Sequence, residues 1–147
     1  MKHDIDCELC TDPGGELLWE DALCRVVRVT DSTAAAFPGY CRVILKRHVS
    51  EMTGLPAAEA HRLMAVVFAT ERAVKQSVQA DKINLASLGN VVPHLHWHVV
   101  PRWKDDSHFP APIWAAAQRS GARRAVPSRA ELTHALQAEL TTVNDLP

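Results

Sequence analysis

The segment PHLHWHVVPR, residues 93–102, places a histidine at every second position, at His94, His96 and His98, with bulky apolar residues between them. Side chains of a β-strand point alternately to the two faces of a sheet. The pattern therefore predicts a strand that sends its apolar residues into the core and displays its histidines on the opposite face. An α-helix would scatter the same histidines around its circumference. We expect Pro101 to end the regular pairing, because proline has no N–H to donate to a neighbouring strand.

Three imidazoles in strict alternation indicate function more strongly than one histidine on a partly solvated strand would. Imidazole titrates near neutral pH and suits proton transfer, phosphate binding or metal ligation. Residues two apart on a strand lie roughly 6.6 Å apart, so the outer two histidines start roughly 13 Å apart. Zinc holds each imidazole nitrogen at about 2 Å, and one ion could not easily gather all three. The spacing favours a central reactive histidine, His96, between two substrate-contacting neighbours. Metal binding by two of the three, with ligands from elsewhere, stays open.

The composition predicts one globular domain, since 47% of the 147 residues are hydrophobic. The formal net charge of −1 gives no broad basic surface, so we expect no nucleic-acid partner. No apolar run approaches the length of a membrane span, and the first ten residues contain no signal-peptide core. We therefore expect a cytoplasmic protein without membrane contact. In that compartment its four cysteines should be thiols or metal ligands, and Cys24 and Cys41 are expected core residues.

Apolar alternation and turn residues predict an α+β fold. A long helix is expected to have Pro56 at its first position, where the missing N–H costs nothing. A late helix should start at Ser128, which forms a capping-box pattern with Glu131. The segment 31–39 is predicted to be a loop. Strands are predicted at residues 17–19, 23–29, 40–46 and 82–88 and at the histidine segment. This order predicts a mainly antiparallel five-stranded sheet with one long helix packed on it and a C-terminal helix.

With these residues in view, the chain resembles the histidine triad (HIT) family of nucleotide hydrolases and transferases. The family motif His-φ-His-φ-His-φ-φ, where φ is apolar, is filled by residues 94–100. The resemblance runs from Cys7 to about Arg102 and includes a glycine, Gly89, five residues before the first histidine. The segment DDSHFPAPIW resembles a bacterial diadenosine tetraphosphate hydrolase-like branch. The resemblance implies a HIT domain over residues 1–110, with residues 111–147 as a tail with a short helix in the same domain.

The resemblance implies a covalent mechanism. His96 would attack the α-phosphorus of a nucleoside phosphoanhydride and form a nucleotidyl-histidine, which water later cleaves. His94 and His98 would donate hydrogen bonds to the phosphate oxygens or help to protonate the leaving group. No metal is required for this chemistry. The alternatives are a purine nucleoside phosphoramidase of the same family, a zinc-dependent hydrolase that uses the imidazole row as ligands, and a nucleotide-binding module without turnover.

The resemblance also implies residues that bind the nucleotide. Backbone N–H groups around Gly89 and Asn90 would hold the phosphate oxygens. Asn84 matches a family side chain that contacts the phosphate or supports the reactive histidine. Asp31 lies where the family binds ribose hydroxyls, although a solvated turn carboxylate would give the same pattern. Arg102 and Lys46 could meet distal phosphates, although exposed basic residues are common and would show the same pattern.

Two positions depart from the family pattern. Many members carry serine or threonine three residues before the first histidine, where the hydroxyl contacts the substrate, but this chain has Val91. The departure weakens the phosphoramidase assignment. Tyr40 replaces a histidine of some relatives. HIT relatives commonly form homodimers, so we expect a homodimer in which the segment around Trp114 reaches the partner's pocket.

The segment CELC gives Cys7 and Cys10 the spacing of half a zinc site. In some bacterial relatives the pair binds structural zinc together with a histidine after the third strand and the first triad histidine. The resemblance then implies His48 and His94 as the other two ligands. Two reduced thiols near a terminus would show the same spacing, so both interpretations stay open.

Overall fold

The computed structural model describes residues 3–144 and contains one five-stranded sheet with strand order β1-β2-β3-β5-β4. Every neighbouring pair is antiparallel. The predicted α+β fold with a mainly antiparallel sheet is confirmed. The strands are β1 (Glu16–Glu20), β2 (Cys24–Arg28), β3 (Cys41–Leu45), β4 (Lys82–Ala86) and β5 (His96–Arg102).

The two predicted helices are present, and the structure contains two further short helices. The capping box holds, because Ser128 N donates to Glu131 Oε2 at 2.6 Å and Glu131 N donates to Ser128 Oγ at 3.1 Å. Pro56 precedes the long helix instead of occupying its first position, since its ψ of 147° is not helical. The helices are α1 (Glu8–Thr11), α2 (Ser32–Ala36), α3 (Ala57–Val78) and α4 (Arg129–Asn144), and a 3₁₀ turn spans Met52–Gly54.

The prediction of a loop over residues 31–39 is wrong, because α2 lies inside it. Asp31 caps this helix by accepting a 2.9 Å hydrogen bond from Thr33 N. Five residues with no apolar periodicity give a sequence pattern too little length to show a helix. The C-terminal helix, expected to be short, extends over 16 residues in α4. No helix within residues 3–144 is long and apolar enough to cross a membrane.

The main core lies between one face of the sheet and helices α3 and α4. Leu95 and Val99 are buried in it, and Trp97 packs partly buried against it, as the alternation predicts. Leu63 and Val67 of α3 are fully buried in the same core. Helix α4 packs across α3 and reaches β1. Burial of these apolar side chains is the main force that holds the sheet against its helices.

The opposite face of the sheet carries the histidines and is covered at both ends. Helix α1 and the residues before it cover one end, where Cys7 and Leu9 pack on Val27 and Ile44. The segment 103–114 covers the other end, where Ile113 packs beside Tyr40, Phe37, Val29 and Val100. The triad side chains are therefore buried: His94 is 0% exposed, His96 8% and His98 6%.

Strand β5 continues through Pro101 to Arg102, so the expected end at Pro101 is wrong. The pairing of β5 with β3 stops at Val99, and beyond it β5 pairs only with β4. Beyond Val99 no strand within residues 3–144 lies on the β3 side of β5. The missing N–H of Pro101 on that side therefore costs no inter-strand hydrogen bond. At the other end, Leu95 precedes the strand but still accepts a 3.1 Å hydrogen bond from Leu45 N.

A buried ion pair between Arg102 and Asp106 fixes the segment 103–114 on the sheet. Arg102 Nε donates to Asp106 Oδ2 at 2.8 Å, and its Nη2 donates to Asp106 Oδ1 at 3.1 Å. Further bonds reach Asn84 Oδ1 at 2.7 Å and the Ala111 carbonyl at 2.8 Å. Arg102 is 1% exposed. Its guanidinium is thus enclosed and engaged within the protein, which is incompatible with the contact to a distal phosphate assigned to it.

Replacing Asp106 with alanine should lower the free energy of unfolding by about 3–5 kcal/mol, because the buried Arg102 guanidinium loses its counter-charge. Asp105→Ala is the matched control, since Asp105 forms an exposed pair with Arg124. Loss of an exposed pair should cost only about 0–1 kcal/mol. Urea denaturation gives the free energy of unfolding of both variants. Equal losses of that free energy would contradict the assignment of Arg102 and Asp106 as a buried ion pair.

The same pair predicts a pH dependence of stability. Burial raises the pKa of Asp106, but hydrogen bonds from Arg102 and from the backbone N–H groups of Trp103, His108 and Phe109 outweigh it and lower the pKa from 3.8 to about 2. A carboxyl with a lowered folded-state pKa stabilises the fold above its unfolded pKa and loses that effect as pH falls through the folded one. The difference in free energy of unfolding between wild type and Asp106→Ala should therefore shrink as the pH falls from 3.8 to about 2.

Candidate active site and metal centre

His96 is held with one ring nitrogen free. Its Nδ1 lies 2.6 Å from the His94 carbonyl oxygen. A carbonyl only accepts, so Nδ1 must carry the hydrogen and Nε2 keeps its lone pair. Within residues 3–144 no hydrogen-bond partner faces Nε2. The site can therefore present a neutral imidazole lone pair to a ligand, which is the arrangement a nucleophile needs.

His98 lies beside His96 and is held by Tyr40. The Tyr40 hydroxyl is 2.6 Å from His98 Nδ1. Burial raises the pKa of Tyr40, so the phenol keeps a hydrogen that it can donate to His98 Nδ1. The remaining hydrogen of a neutral His98 then sits on Nε2. Tyr40, which stands where some relatives have histidine, thus sets the tautomer of the third triad histidine.

Both histidines are held in their neutral form. Burial lowers the pKa of His96, although its hydrogen bond to His94 opposes this, and the nearby Arg42 lowers it further. Burial, His96 and Arg42 together lower the pKa of His98 to about 3. Desolvation disfavours the charged imidazolium. The site therefore contains two uncharged imidazoles.

A cavity of about 270 Å³ opens beside the two histidines. Gly89 and Asn90, which the resemblance assigns to the phosphate-binding turn, line it. Gly89 has a φ of +68°, a left-handed conformation that glycine adopts without strain. Val91, the departure from the hydroxyl-bearing pattern, is 94% exposed at the rim. The cavity is lined by Leu88, Gly89, Asn90, Val91, Val92, His96, His98 and Trp114.

Three predicted site residues lie elsewhere or are engaged differently. Asn84 does not line this cavity, and its Oδ1 accepts from Arg102. Asp31 caps α2 and stands 3.9 Å from Arg42 Nη2. The ring of His94 is completely buried, with both nitrogens directed at protein atoms. The expected hydrogen bond from the His94 ring to a phosphate has no free donor in this geometry, and His94 meets the active site through its carbonyl oxygen instead.

The His94 ring belongs to a cluster with Cys7, Cys10 and His48. The four potential ligand atoms all lie within 4.8 Å of one another. Sγ of Cys7 is 3.4 Å from His94 Nδ1, while Sγ of Cys10 is 3.5 Å from His94 Nδ1 and 3.6 Å from His48 Nδ1. Tetrahedral zinc, with bonds of about 2.3 Å to sulfur and about 2.0 Å to nitrogen, separates those atoms by roughly 3.5 Å. The cluster fits the tetrahedral set that the resemblance implies.

Outer contacts orient the two histidines of the cluster. His94 Nε2 donates to the Leu45 carbonyl at 2.6 Å, which leaves the Nδ1 lone pair facing the two sulfurs. His48 Nε2 lies 3.9 Å from Asp4 Oδ2, within ion-pair range but beyond hydrogen-bond length. Metal-bound histidines usually have a hydrogen-bond partner on their second nitrogen, which the Leu45 carbonyl provides for His94. The other two cysteines lie in the core, as predicted, and burial raises the pKa of Cys24 and of Cys41 to about 12.

Sequence reasoning missed Arg42 and the position of Trp114. Arg42 lies on β3 directly opposite His98, on the histidine face of the sheet. A charged residue alternating with buried apolar ones in CRVIL was the available signal. The Trp114 ring lies 5.0 Å from the His98 ring of its own chain. The reach of this segment into a partner's pocket stays a prediction.

The family model described as HIT domain matches residues 15–105. The chain belongs to the histidine triad family. Over 78 residues it is 35% identical to AP-4-A phosphorylase of Mycobacterium tuberculosis, a match that covers 49% of this chain. The chain spans about 40% of the length of that HIT relative.

Solved structures of HIT proteins show the same fold. A histidine triad protein from Bradyrhizobium japonicum superposes with a TM-score of 0.68 and 22% identity, covering 97% of this chain and 99% of the other. A zinc-bound histidine triad family protein from Mycobacterium smegmatis gives a TM-score of 0.56 and 25% identity, covering 95% and 96%. The first comparison shows the HIT fold over nearly the whole chain. The second comparison is with a histidine triad protein whose structure contains zinc.

The cluster predicts one metal ion per chain. Purified protein supplied with zinc should contain about one equivalent by elemental analysis, and Cys7→Ser with Cys10→Ser should lower both the zinc content and the melting temperature, since metal binding contributes folding energy. Cys24→Ala is the matched control, because it removes a thiol outside the cluster and should leave the zinc content unchanged. Full zinc content in the double variant would contradict the assigned ligands.

Proposed function

We propose that this HIT protein is a nucleotide hydrolase or nucleotidyl transferase that cleaves a nucleoside phosphoanhydride at the α-phosphate through a covalent bond to His96. The observation that carries the proposal is the hydrogen bond from His96 Nδ1 to the His94 carbonyl. It fixes the tautomer whose Nε2 lone pair can attack phosphorus. The relative named AP-4-A phosphorylase supports a dinucleoside polyphosphate-like substrate.

The reaction proceeds in two displacements. His96 Nε2 attacks the α-phosphorus, a P–N bond forms, and the P–O bond to the leaving phosphate breaks. Water or another acceptor then attacks the same phosphorus, the P–N bond breaks, and the lone pair returned to Nε2 accepts the released proton. The His98 N–H and the backbone N–H groups at Gly89 and Asn90 donate to the phosphate oxygens. Such preorganised donors stabilise charge in a transition state without reorganising.

The rim of the cavity supports an anhydride over a phosphoramidate. A phosphoanhydride releases a phosphate, which leaves as a stable anion without receiving a proton. A phosphoramidate releases an amine, which needs a proton donor at the leaving atom. Val91 occupies the position of the family hydroxyl and cannot donate one. The chemistry available at the rim therefore fits a polyphosphate leaving group.

We assign a structural role to zinc at the cluster of Cys7, Cys10, His48 and His94. Two thiolates and two imidazoles complete a tetrahedral set, and a closed set of four protein ligands is typical of structural zinc. Bound there, zinc would tie the N-terminal segment to the start of the histidine strand. His96 and His98 are outside the cluster, so the displacement steps use the protein's own groups.

The substitution His96→Ala should reduce turnover of diadenosine tetraphosphate by on the order of 10³-fold or more, because it removes the nucleophile. The fold should be retained, since His96 borders a cavity. His61→Ala is the control, because His61 lies on α3 outside the site. The measurement is the turnover rate of wild type and both variants, compared at equal amounts of folded protein. Near-normal turnover of His96→Ala would exclude the covalent mechanism.

We propose a homodimer in the cytoplasm. Strand β4 is at an edge of the sheet and pairs only with β5, so its other side can pair with a second copy. None of the four cysteines forms a disulfide, which fits a reducing compartment.

Light scattering at micromolar concentration should give a mass near twice 16.2 kDa. Pairing of two β4 edges buries backbone groups that are otherwise left to water. A substitution of Leu85 by proline should shift the mass towards the single chain if this strand forms the contact. A wild-type species of 16.2 kDa alone would contradict the dimer.

A further inference from the structure

Arg42 stands beside the triad without being part of the HIT motif. It is directly opposite His98 across β3 and β5, and Ile44 is opposite His96. Side chains of directly opposite residues start about 4.5–5.5 Å apart. The Arg42 guanidinium also lies 5.6 Å above the ring of Tyr40, which holds His98. Arg42 is therefore a neighbour of the third triad histidine on the face where the ligand binds.

The Nε of Arg42 is a hydrogen-bond donor without a partner among the described residues. Nη1 donates to the Gly14 carbonyl at 3.2 Å. Nη2 is 3.9 Å from Asp31 Oδ2, which is beyond hydrogen-bond length. Nε is buried and has no partner among the described residues. A buried donor without an acceptor is costly, and a bound ligand is one way to satisfy it.

The other arginines of this face are already engaged. Arg102 uses four of its five N–H donors on Asp106, Asn84 and Ala111. Arg25 donates to carbonyl oxygens of the N-terminal segment. The residues that line the cavity include no cation. With both histidines neutral, Arg42 is, among residues 3–144, the arginine of this face that lies directly opposite a triad histidine and keeps a donor for a negatively charged phosphate.

We propose that Arg42 donates a charge-assisted hydrogen bond to a non-bridging oxygen of the α-phosphate held at His96. The inference rests on the proposed function for the identity of the ligand as a nucleotide. Guanidinium bonds to phosphate are shorter and stronger than bonds between neutral groups. In this arrangement Arg42 compensates the phosphate charge from the β3 side, while Gly89 and Asn90 donate from the other side of β5.

Calorimetric binding of AMP and of adenosine tests the contact without turnover. Arg42→Gln should weaken AMP binding by about 10- to 100-fold, the loss expected for a hydrogen bond to a charged group. Adenosine binding should change less than about twofold, because adenosine lacks the phosphate. Arg42→Lys keeps the charge and should lose part of the AMP affinity. Arg72→Gln is the control, since Arg72 pairs with Glu139 away from the site.

Three results would overturn the inference: absence of AMP binding to the wild type, unchanged AMP binding in Arg42→Gln, and equal losses for AMP and adenosine. Equal losses would show that Arg42 holds the nucleoside or the turn at Gly14. If Arg42→Gln does not fold, a lower ratio of AMP to adenosine affinity in Arg42→Lys supports the contact and an unchanged ratio overturns it. If Arg42→Gln weakens AMP binding but the wild-type protein hydrolyses no anhydride, the proposed function is refuted and the contact between Arg42 and the phosphate stands.

Discussion

The contacts of His94 connect the two centres of this protein. Its ring lies between the Leu45 carbonyl and the thiols of Cys7 and Cys10, while its own carbonyl accepts from His96. A residue held on both sides cannot rotate, so the acceptor that sets the tautomer of His96 is fixed in place. In our proposal zinc would strengthen this arrangement through His94 without entering the reaction. The N-terminal segment thereby supports catalysis at a distance, as outer contacts of a site do.

Antiparallel register determines what surrounds the reactive histidine. Pairing of β5 with β3 puts Arg42 across from His98, and the turn after β4 brings Gly89 to the other side. The proposed phosphate position thus lies between a cation and a backbone turn, with Trp114 closing the cavity near His98. Because these polar groups are shielded from solvent, their electrostatic interaction with a phosphate is stronger than it would be in water. The fold contributes to function mainly by this convergence of elements that are distant in sequence.

The sequence predicted what depends on local periodicity. Alternation in residues 94–100 predicted the fifth strand and its buried face, and the pattern at Ser128 predicted the start of α4. It did not predict α2, which is too short to show a period. Nor did it predict the roles of two arginines: Arg102 pairs with the buried Asp106, whereas Nε of Arg42 is left without a partner among the described residues. Which arginine meets a carboxylate depends on chain folding, and a sequence pattern carries no information about that pairing.

In the proposed mechanism the nucleotidyl group is transferred first to His96 and then to water. Each in-line displacement inverts the configuration at phosphorus. Hydrolysis of a dinucleoside polyphosphate with a chiral phosphorothioate at the α-position, in water enriched in ¹⁸O, should therefore give a nucleoside product with overall retention. Nuclear magnetic resonance of the product distinguishes the two outcomes. Overall inversion would show a single direct attack by water and would contradict the nucleotidyl-histidine.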